Sequence, residues 1–440
     1  MSNPNTPLVA SEPIYAAFVG LDWGDELHAV SLCPAGHDVV ERTTLEQTPE
    51  ALALWANSLR SRFPNGRIAV ALEQARGALL CGLLAYDHLV AYPVNPKSLA
   101  RFREALYPSR AKDDPVDADL LLDLLVKHRN RLRPWQPDTV ATRQLALLNE
   151  QRRHFVDQRT RLTNQLLAHL KAIFPQAPQL LGQDLASPLA TNFLKKWPTL
   201  QAVQKAKPAV LRKFYYGHNS RSTELIRRRL ALAQSAVALT QDPALLAAHS
   251  LAIQTLVAQL EALRPFIARH EQQMAKLFAA HPDAALFESL PGAGPILGPR
   301  LLAALGTDRQ RFPDARSLSC YSGIAPVTEK SGKTQNWVHL RWCCPKFLRQ
   351  TWHEFAKCSL KSSVWARACY DELRKRMDHH EAIRKVAYKW QRIVWRMWQE
   401  RKPYDEARYL RSLQQRGIKL YGDLALPSVA AAGEQNKNTH

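Results

Sequence analysis

Phe18-Val-Gly-Leu-Asp-Trp-Gly24 is a short apolar run closed by a carboxylate and a Gly-containing turn. Such a run reads as a strand that carries Asp22 out at its end. Ile68-Ala-Val-Ala-Leu-Glu73 repeats the pattern with Glu73. Around these two runs the sequence alternates. Strands are expected at Tyr15 to Leu21, His28 to Cys33 and Asp38 to Thr43, then a helix over Glu50 to Arg62. The strand Ile68 to Leu72 follows, with a helix from Ala78 to Tyr86, a strand at Val90 to Val94, and helices from about Lys97 and Pro115. Three strands in meander followed by alternating elements give an α/β order with a mixed sheet. One acid at a strand end marks only the return to solvent. Two of them in one sheet favour a shared site.

A third acidic element is Arg110-Ala-Lys-Asp-Asp-Pro-Val-Asp-Ala-Asp-Leu120, which opens a helix with Pro115 in its first turn. Asp114 and Asp117, three residues apart, fall on one face. Capping of the helix N-terminus is the competing explanation for Asp114. Gathering Asp22, Glu73, Asp114 and Asp117 brings like charges together, which is unfavourable unless a cation binds between them. Hard divalent ions take such oxygen ligands, and two of them about 3.5–4 Å apart suit phosphodiester cleavage. Mg²⁺ is the expected ion.

The chain has 440 residues, with 60 Lys and Arg against 39 Asp and Glu, a formal charge of +21. That excess points to a polyanionic partner. A hydrophobic content of 46% supplies ordinary globular cores. Seven cysteines without a C-x-x-C pair fit reduced thiols rather than a disulfide scaffold. Neither a signal peptide nor an uninterrupted apolar run of about 18 residues is seen, so no membrane role is expected.

From Thr139 the pattern changes. Leu145, Leu148, Phe155, Leu162, Leu166 and Ile173 form one helical stripe, and Leu256, Leu260, Leu263, Ile267, Met274 and Leu277 a second. An antiparallel hairpin within the chain and a dimeric coiled coil both satisfy this pattern. A third block opens at Leu290-Pro-Gly-Ala-Gly-Pro295. It reads either as a helix-hairpin-helix, with Gly292 and Gly294 admitting a phosphate to backbone N–H groups, or as a turn between packed helices. In Arg384 to Trp398, Lys385, Lys389, Arg392 and Arg396 share a helical face opposite Val386, Trp390, Ile393 and Met397. The apolar side reads as core and the basic side as a phosphate track or a solvated face.

The strand ending in Gly-Leu-Asp, the Glu after a later strand, and Lys112-Asp-Asp-Pro-Val-Asp-Ala118 resemble the DEDD transposases of the insertion-sequence "one-ten" family, with its "eleven-eleven" branch and the related Piv-type DNA invertases. Leu290-Pro-Gly-Ala-Gly-Pro295, Leu301-Leu-Ala-Ala-Leu-Gly306, Tyr321-Ser-Gly-Ile-Ala-Pro326 and Thr328-Glu-Lys-Ser-Gly-Lys333 extend the resemblance. It implies a RuvC-like, RNase H-like α/β catalytic domain at residues 12–137 and a helical coiled-coil or dimerisation region at 138–283. A mostly helical serine-bearing domain at 284–402 would follow, and Pro403 with the small, polar residues Pro427 to His440 reads as the tail, 403–440.

The implied tetrad is Asp22, Glu73, Asp114 and Asp117, with Lys112 beside it and Asp113 and Asp119 as rivals where the family pattern shifts. The implied nucleophile is Ser331, flanked by Lys330 and Lys333; Ser322, in a packing segment, is a poorer candidate. The family further implies DNA as substrate and a structured guide RNA. Mg²⁺ is expected from the carboxylates, and a cytoplasmic, nucleoid-associated location from the reduced thiols and the DNA partner. A homo-oligomer (dimer or tetramer) on DNA is expected, with a composite active site because the acids and the serine fall in different domains. Two other readings remain: a RuvC-like structure-specific endonuclease, which needs no serine, and a non-catalytic nucleic-acid-binding regulator, which needs no metal.

Overall fold

Hydrogen-bonded pairing of the apolar runs produces a mixed sheet. In the computed structural model, which describes residues 15–73, 77–106, 114–331 and 335–418, the chain divides into two compact units, Met1–Pro137 and Asp138–His440. Lys112, Asp113 and Lys333 lie outside the described residues, as do the side chains of Asp114, Lys330 and Ser331.

The first unit is built in the order β1 (Tyr15–Asp22), β2 (Leu27–Pro34), β3 (Glu41–Glu46), α1 (Pro49–Arg62), β4 (Arg67–Leu72), α2 (Ala78–Leu83), β5 (Leu89–Pro93), α3 (Pro96–Leu106) and α4 (Asp114–His128). The strands lie side by side as β3-β2-β1-β4-β5. β1, β2 and β3 form an antiparallel meander, whereas β4 and β5 run parallel to β1. β3 starts at Glu41, later than the sequence suggests: after the turn at Gly36, where φ is +79°, residues 37–40 belong to no strand.

Parallel strands need cover on both faces. Ile68, Val70 and Leu72 of β4 pack toward Leu59 of α1 and Leu79, Leu80 and Leu83 of α2. Ala69 and Ala71 face Leu99 of α3 and Leu120, Leu121 and Leu125 of α4. The alternation that defines a strand therefore fills two cores from one segment.

The second unit is mostly helical. Its longest elements are α5 (Val140–Ile173) and α11 (Pro243–Ala279), separated by the short helices α6 to α10 within residues 177–235. The two stripes read from the sequence meet each other inside this chain. Thr142 bonds His281 just beyond α11, Arg152 pairs with Glu271, Phe155 stacks on Phe266, and His169 meets His249. Rising numbers on one helix meet falling numbers on the other, so the pair is antiparallel. α11 is long and apolar enough to cross a membrane by composition alone. Here its Ile253, Val257 and Leu260 enter a core with Leu166 and Leu170 of α5 and Phe193 of the short helices.

The chain continues through α12 (Ala284–Glu288), α13 (Gly294–Leu305) and α14 (Ala315–Tyr321) to a hairpin of β6 (Val327–Ser331) and β7 (Gln335–His339). α15 (Lys346–Ser359), α16 (Val364–Arg374), α17 (His379–Glu400) and α18 (Glu406–Gln415) complete it. Trp352, Trp365, Trp390 and Trp398 are fully buried in the second core of this unit. Residues 403 to 418, expected to open a tail, instead include α18: Asp405 caps it by accepting from the Arg408 amide, and Leu410 and Leu413 enter that core. α17 ends at Glu400 with Arg401 in the left-handed region at φ +52°, and Pro403 follows without ending the fold.

Candidate active site

β1 and β4 are neighbours, and Leu21 pairs with Leu72. The next residue on each strand is an acid, so a parallel register places Asp22 and Glu73 side by side at the same sheet end. The third acid arrives from the helix above. α4 lies on β1 so closely that a Cβ at Gly20 would collide with the backbone of Ala118 and Leu122. The missing side chain lets the helix settle onto the strand, and Asp117 is adjacent to that contact in sequence.

Asp22, Glu73 and Asp117 each bring a carboxylate oxygen within 4.8 Å of the others. Asp22 and Asp117 are buried and Glu73 is half-buried. Among the described residues this is the group of acids, histidines or cysteines that could hold a metal ion.

Arg103, on α3, partly offsets the concentrated charge. Its Nε donates to Asp117 Oδ1 at 2.6 Å, and a terminal guanidinium nitrogen forms an ion pair with the same oxygen. Asp117 is 0% exposed, and its Oδ2 is buried without a hydrogen-bond partner among the described residues. A buried carboxylate oxygen normally has a partner. Oδ1 is thus held by Arg103, while Oδ2 has no hydrogen-bond partner among the described residues, and the carboxyl group as a whole stands in the cluster with Asp22 and Glu73. This donor set fits a hard divalent cation, which takes carboxylate oxygens and offsets their mutual repulsion.

The competing acids separate clearly where they are described. Asp119 accepts from Ser31 Oγ at 2.6 Å and from the Arg42 guanidinium at 2.9 to 3.1 Å. It ties α4 to β2 and β3, and so serves packing instead of the cluster. Asp114 lies at the first position of α4. Sequence reasoning missed Arg103, for which no spacing rule existed, and Gly20, for which the signal was a glycine inside a buried strand.

In the second unit Ser331 is the last residue of β6 and pairs with Gln335 across the hairpin end. Ser331 is therefore the end of one strand of a two-stranded ribbon. Trp337 and Val338 on β7 and Trp342 beyond it are 47%, 67% and 69% exposed. Ser322, by contrast, is fully buried, accepts from Gln391 Nε2 at 2.6 Å and donates to the Ser319 carbonyl.

Gly292 and Gly294 both have positive φ, +78° and +54°. A Cβ at Gly292 would strike the backbone of Cys358 and Ser359, whereas one at Gly294 meets open space. The first glycine is accounted for by packing on the end of α15; the second opens α13 toward solvent. On α17, Val386, Trp390 and Met397 are buried. Lys385 is within 3.5 Å of Glu381 and Arg396 within 2.7 Å of Glu400, while Arg392 is exposed.

Residues 19–175 match a DEDD-type family model named for IS110 and described as "Transposase". Residues 284–371 match a second, "Transposase IS116/IS110/IS902 family". The chain is 29% identical to the "Mini-circle putative transposase for IS117" of Streptomyces coelicolor over 85% of its own length and 91% of that protein. It is 26% identical to the IS110 uncharacterized 43.6 kDa protein of the same species, over 84% and 91% of the two chains. It is likewise 26% identical to the IS116 uncharacterized 44.8 kDa protein of Streptomyces clavuligerus, over 89% and 96%.

Proposed function

The chain belongs to the IS116/IS110/IS902 family of transposases, and from that premise we propose that it is a DNA transposase that exchanges strands through Ser331, with Mg²⁺ held by Asp22, Glu73, Asp117 and Asp114. The observation that carries the reading is the convergence of three carboxylate oxygens within 4.8 Å at the ends of β1 and β4 and the start of α4. The strand order β3-β2-β1-β4-β5, with a meander followed by parallel strands, supports an RNase H-like first unit.

Mg²⁺ bound there would supply Lewis-acid stabilisation of charge on phosphate oxygens. Asp22 and Glu73 would present its ligands from the strand ends, and Arg103 holds Asp117 Oδ1, which leaves Oδ2 without a hydrogen-bond partner among the described residues. In the exchange, Ser331 Oγ loses its proton and attacks phosphorus. A P–O bond to serine forms as the P–O bond to the departing DNA oxygen breaks, and that oxygen takes up a proton. Phosphodiester count is conserved, so rejoining is the reverse reaction on a new strand. Lys330 and Lys333 flank the serine in sequence and complement phosphate charge. The acids and the serine belong to different units, so both units are required for the full reaction.

The same reading includes a structured guide RNA, a homo-oligomer and cytoplasmic action on DNA. An RNA-free preparation that recombines at a defined site removes the guide from it. The central test incubates wild type, Ser331→Ala and Asp117→Ala with supercoiled DNA carrying the element junction, its flanking RNA and Mg²⁺. The expected result is protein covalently attached to DNA on a denaturing gel for wild type only. Cleavage by Ser331→Ala without an adduct would instead establish a structure-specific nuclease.

A further inference from the structure

α17 and α18 enclose an open groove of about 980 Å³ that the strand-exchange chemistry does not use. Its walls are basic. Arg392 comes from α17, Lys402 from the connecting turn, Arg408 and Arg411 from α18, and Arg416 from just past its end. All five are exposed, and none makes an ion pair among the described residues. The groove's two acids are occupied. Glu400 is bound by Arg396, and the Asp405 carboxylate accepts from the Arg408 amide.

The groove is also preformed. Trp365 Nε1 donates to Tyr404 Oη at 2.7 Å, and Tyr404 Oη donates to Glu406 Oε2 at 2.6 Å. Ser363 Oγ donates to the same carboxylate, and the Tyr404 amide donates to Ser289 Oγ. These bonds and buried Leu410 and Leu413 fix α18 against the rest of its core.

We propose that this groove is a clamp for a phosphodiester backbone, separate from the reacting residues. Unpaired guanidinium groups on rigid helices are suited to phosphate oxygens, which they bind in a planar fork. Length argues for a polymer over a single phosphate. Arg408 and Arg416 are separated by roughly 12 Å when the α18 rise of 1.5 Å per residue is carried one residue past its end, with Arg392 on α17 and Lys402 in the connecting turn adding charge to the same groove. The Trp395 indole N–H in the wall is already bonded to the Phe312 carbonyl, so it is not a free donor for a base edge, and the exposed cations are what the groove offers a ligand. The inference rests on nucleic acid as the partner, and it deepens that reading by placing one contact.

The test compares the full chain with Arg408→Ala/Arg411→Ala/Arg416→Ala and with a charge-matched control, Lys205→Ala/Arg212→Ala/Lys213→Ala, whose side chains are exposed elsewhere. Binding to a random 30-bp duplex DNA and to an unrelated stem-loop RNA is titrated against salt in EDTA, after equal melting temperatures confirm folding. The groove variant should lose about tenfold or more in affinity for at least one probe. Its slope of log K against log salt should fall by about 2 to 3, near the value for three lost phosphate contacts. Loss on DNA alone, RNA alone or both identifies the source of the backbone.

Equal loss in the control, wild-type behaviour of the groove variant, or failure of wild type to bind either probe overturns the clamp. Because EDTA excludes the metal chemistry, any of these results leaves the covalent-adduct test of the transposase reading standing on its own.

Discussion

Removing Arg103 would leave the fully buried Asp117 carboxylate without its cation, and such uncompensated charges are costly. Arg103→Ala should destabilise the first unit by roughly 3 kcal/mol, measured as a lower midpoint in urea, with Arg103→Lys recovering part of it. Asp117→Asn keeps the side chain's shape but removes the charge needed for the ion. It should abolish the covalent adduct and weaken Mn²⁺ binding measured calorimetrically, while duplex DNA affinity stays within about twofold; an unchanged Mn²⁺ isotherm would remove Asp117 from the ligand set. A different titration belongs to His353. Burial, aided by Arg384 and Arg349, lowers its pKa to about 4. The unfolded chain therefore binds this proton first as pH falls below about 6.5, and stability is lost progressively from there down to about 4. His353→Gln should flatten the urea midpoint against pH across that window. An equally steep variant curve would assign the slope to other groups.

At the level of elements, the seat of α4 on β1 decides whether the acids meet. Gly20→Ala inserts a methyl group into the backbone of Ala118 and Leu122, so α4 must shift away from the strand. Loss of the Mn²⁺ site should accompany this substitution even if circular dichroism shows the helix intact; an undisturbed site would show that α4 can adjust without moving Asp117. The strand ends were legible because a run such as Ile68 to Leu72 is apolar throughout and ends in Glu73, a pattern local to a few residues. The distinction between Asp117 and Asp119 was not, since helical spacing alone cannot say that Ser31 and Arg42 would claim Asp119. The strand ending at Ser331 was hidden because Lys-Ser-Gly-Lys has the composition of a turn, although Trp337 and Val338 carry the bulk that strands favour. α18 was hidden by Pro403, which ended one helical pattern before Asp405 capped the next.

For the molecule as a whole, the +21 charge and the carboxylate cluster predict that binding and chemistry separate. Chelating divalent ions should abolish adduct formation yet leave DNA retention by gel shift, whereas raising salt should weaken retention with or without metal. Loss of retention on chelation at constant ionic strength would mean that the ion organises the nucleic-acid surface as well as the site. The two long helical stripes also show what a sequence leaves open at this scale. Leu166 and Leu260 announce buried faces, but the same spacing serves a partner within the chain or outside it, and only contacts such as Arg152 with Glu271 decide that α5 and α11 meet each other. That pairing makes the segment a detour with a shared gate. The chain leaves near Thr142 and comes back at His281, which bond directly, so whole turns added to or removed from both helices together would change the reach of the arm by about 5.4 Å each while its root stays put. Reach is then an adjustable dimension of this protein, open to change in a lineage without rebuilding either of the segments that flank it.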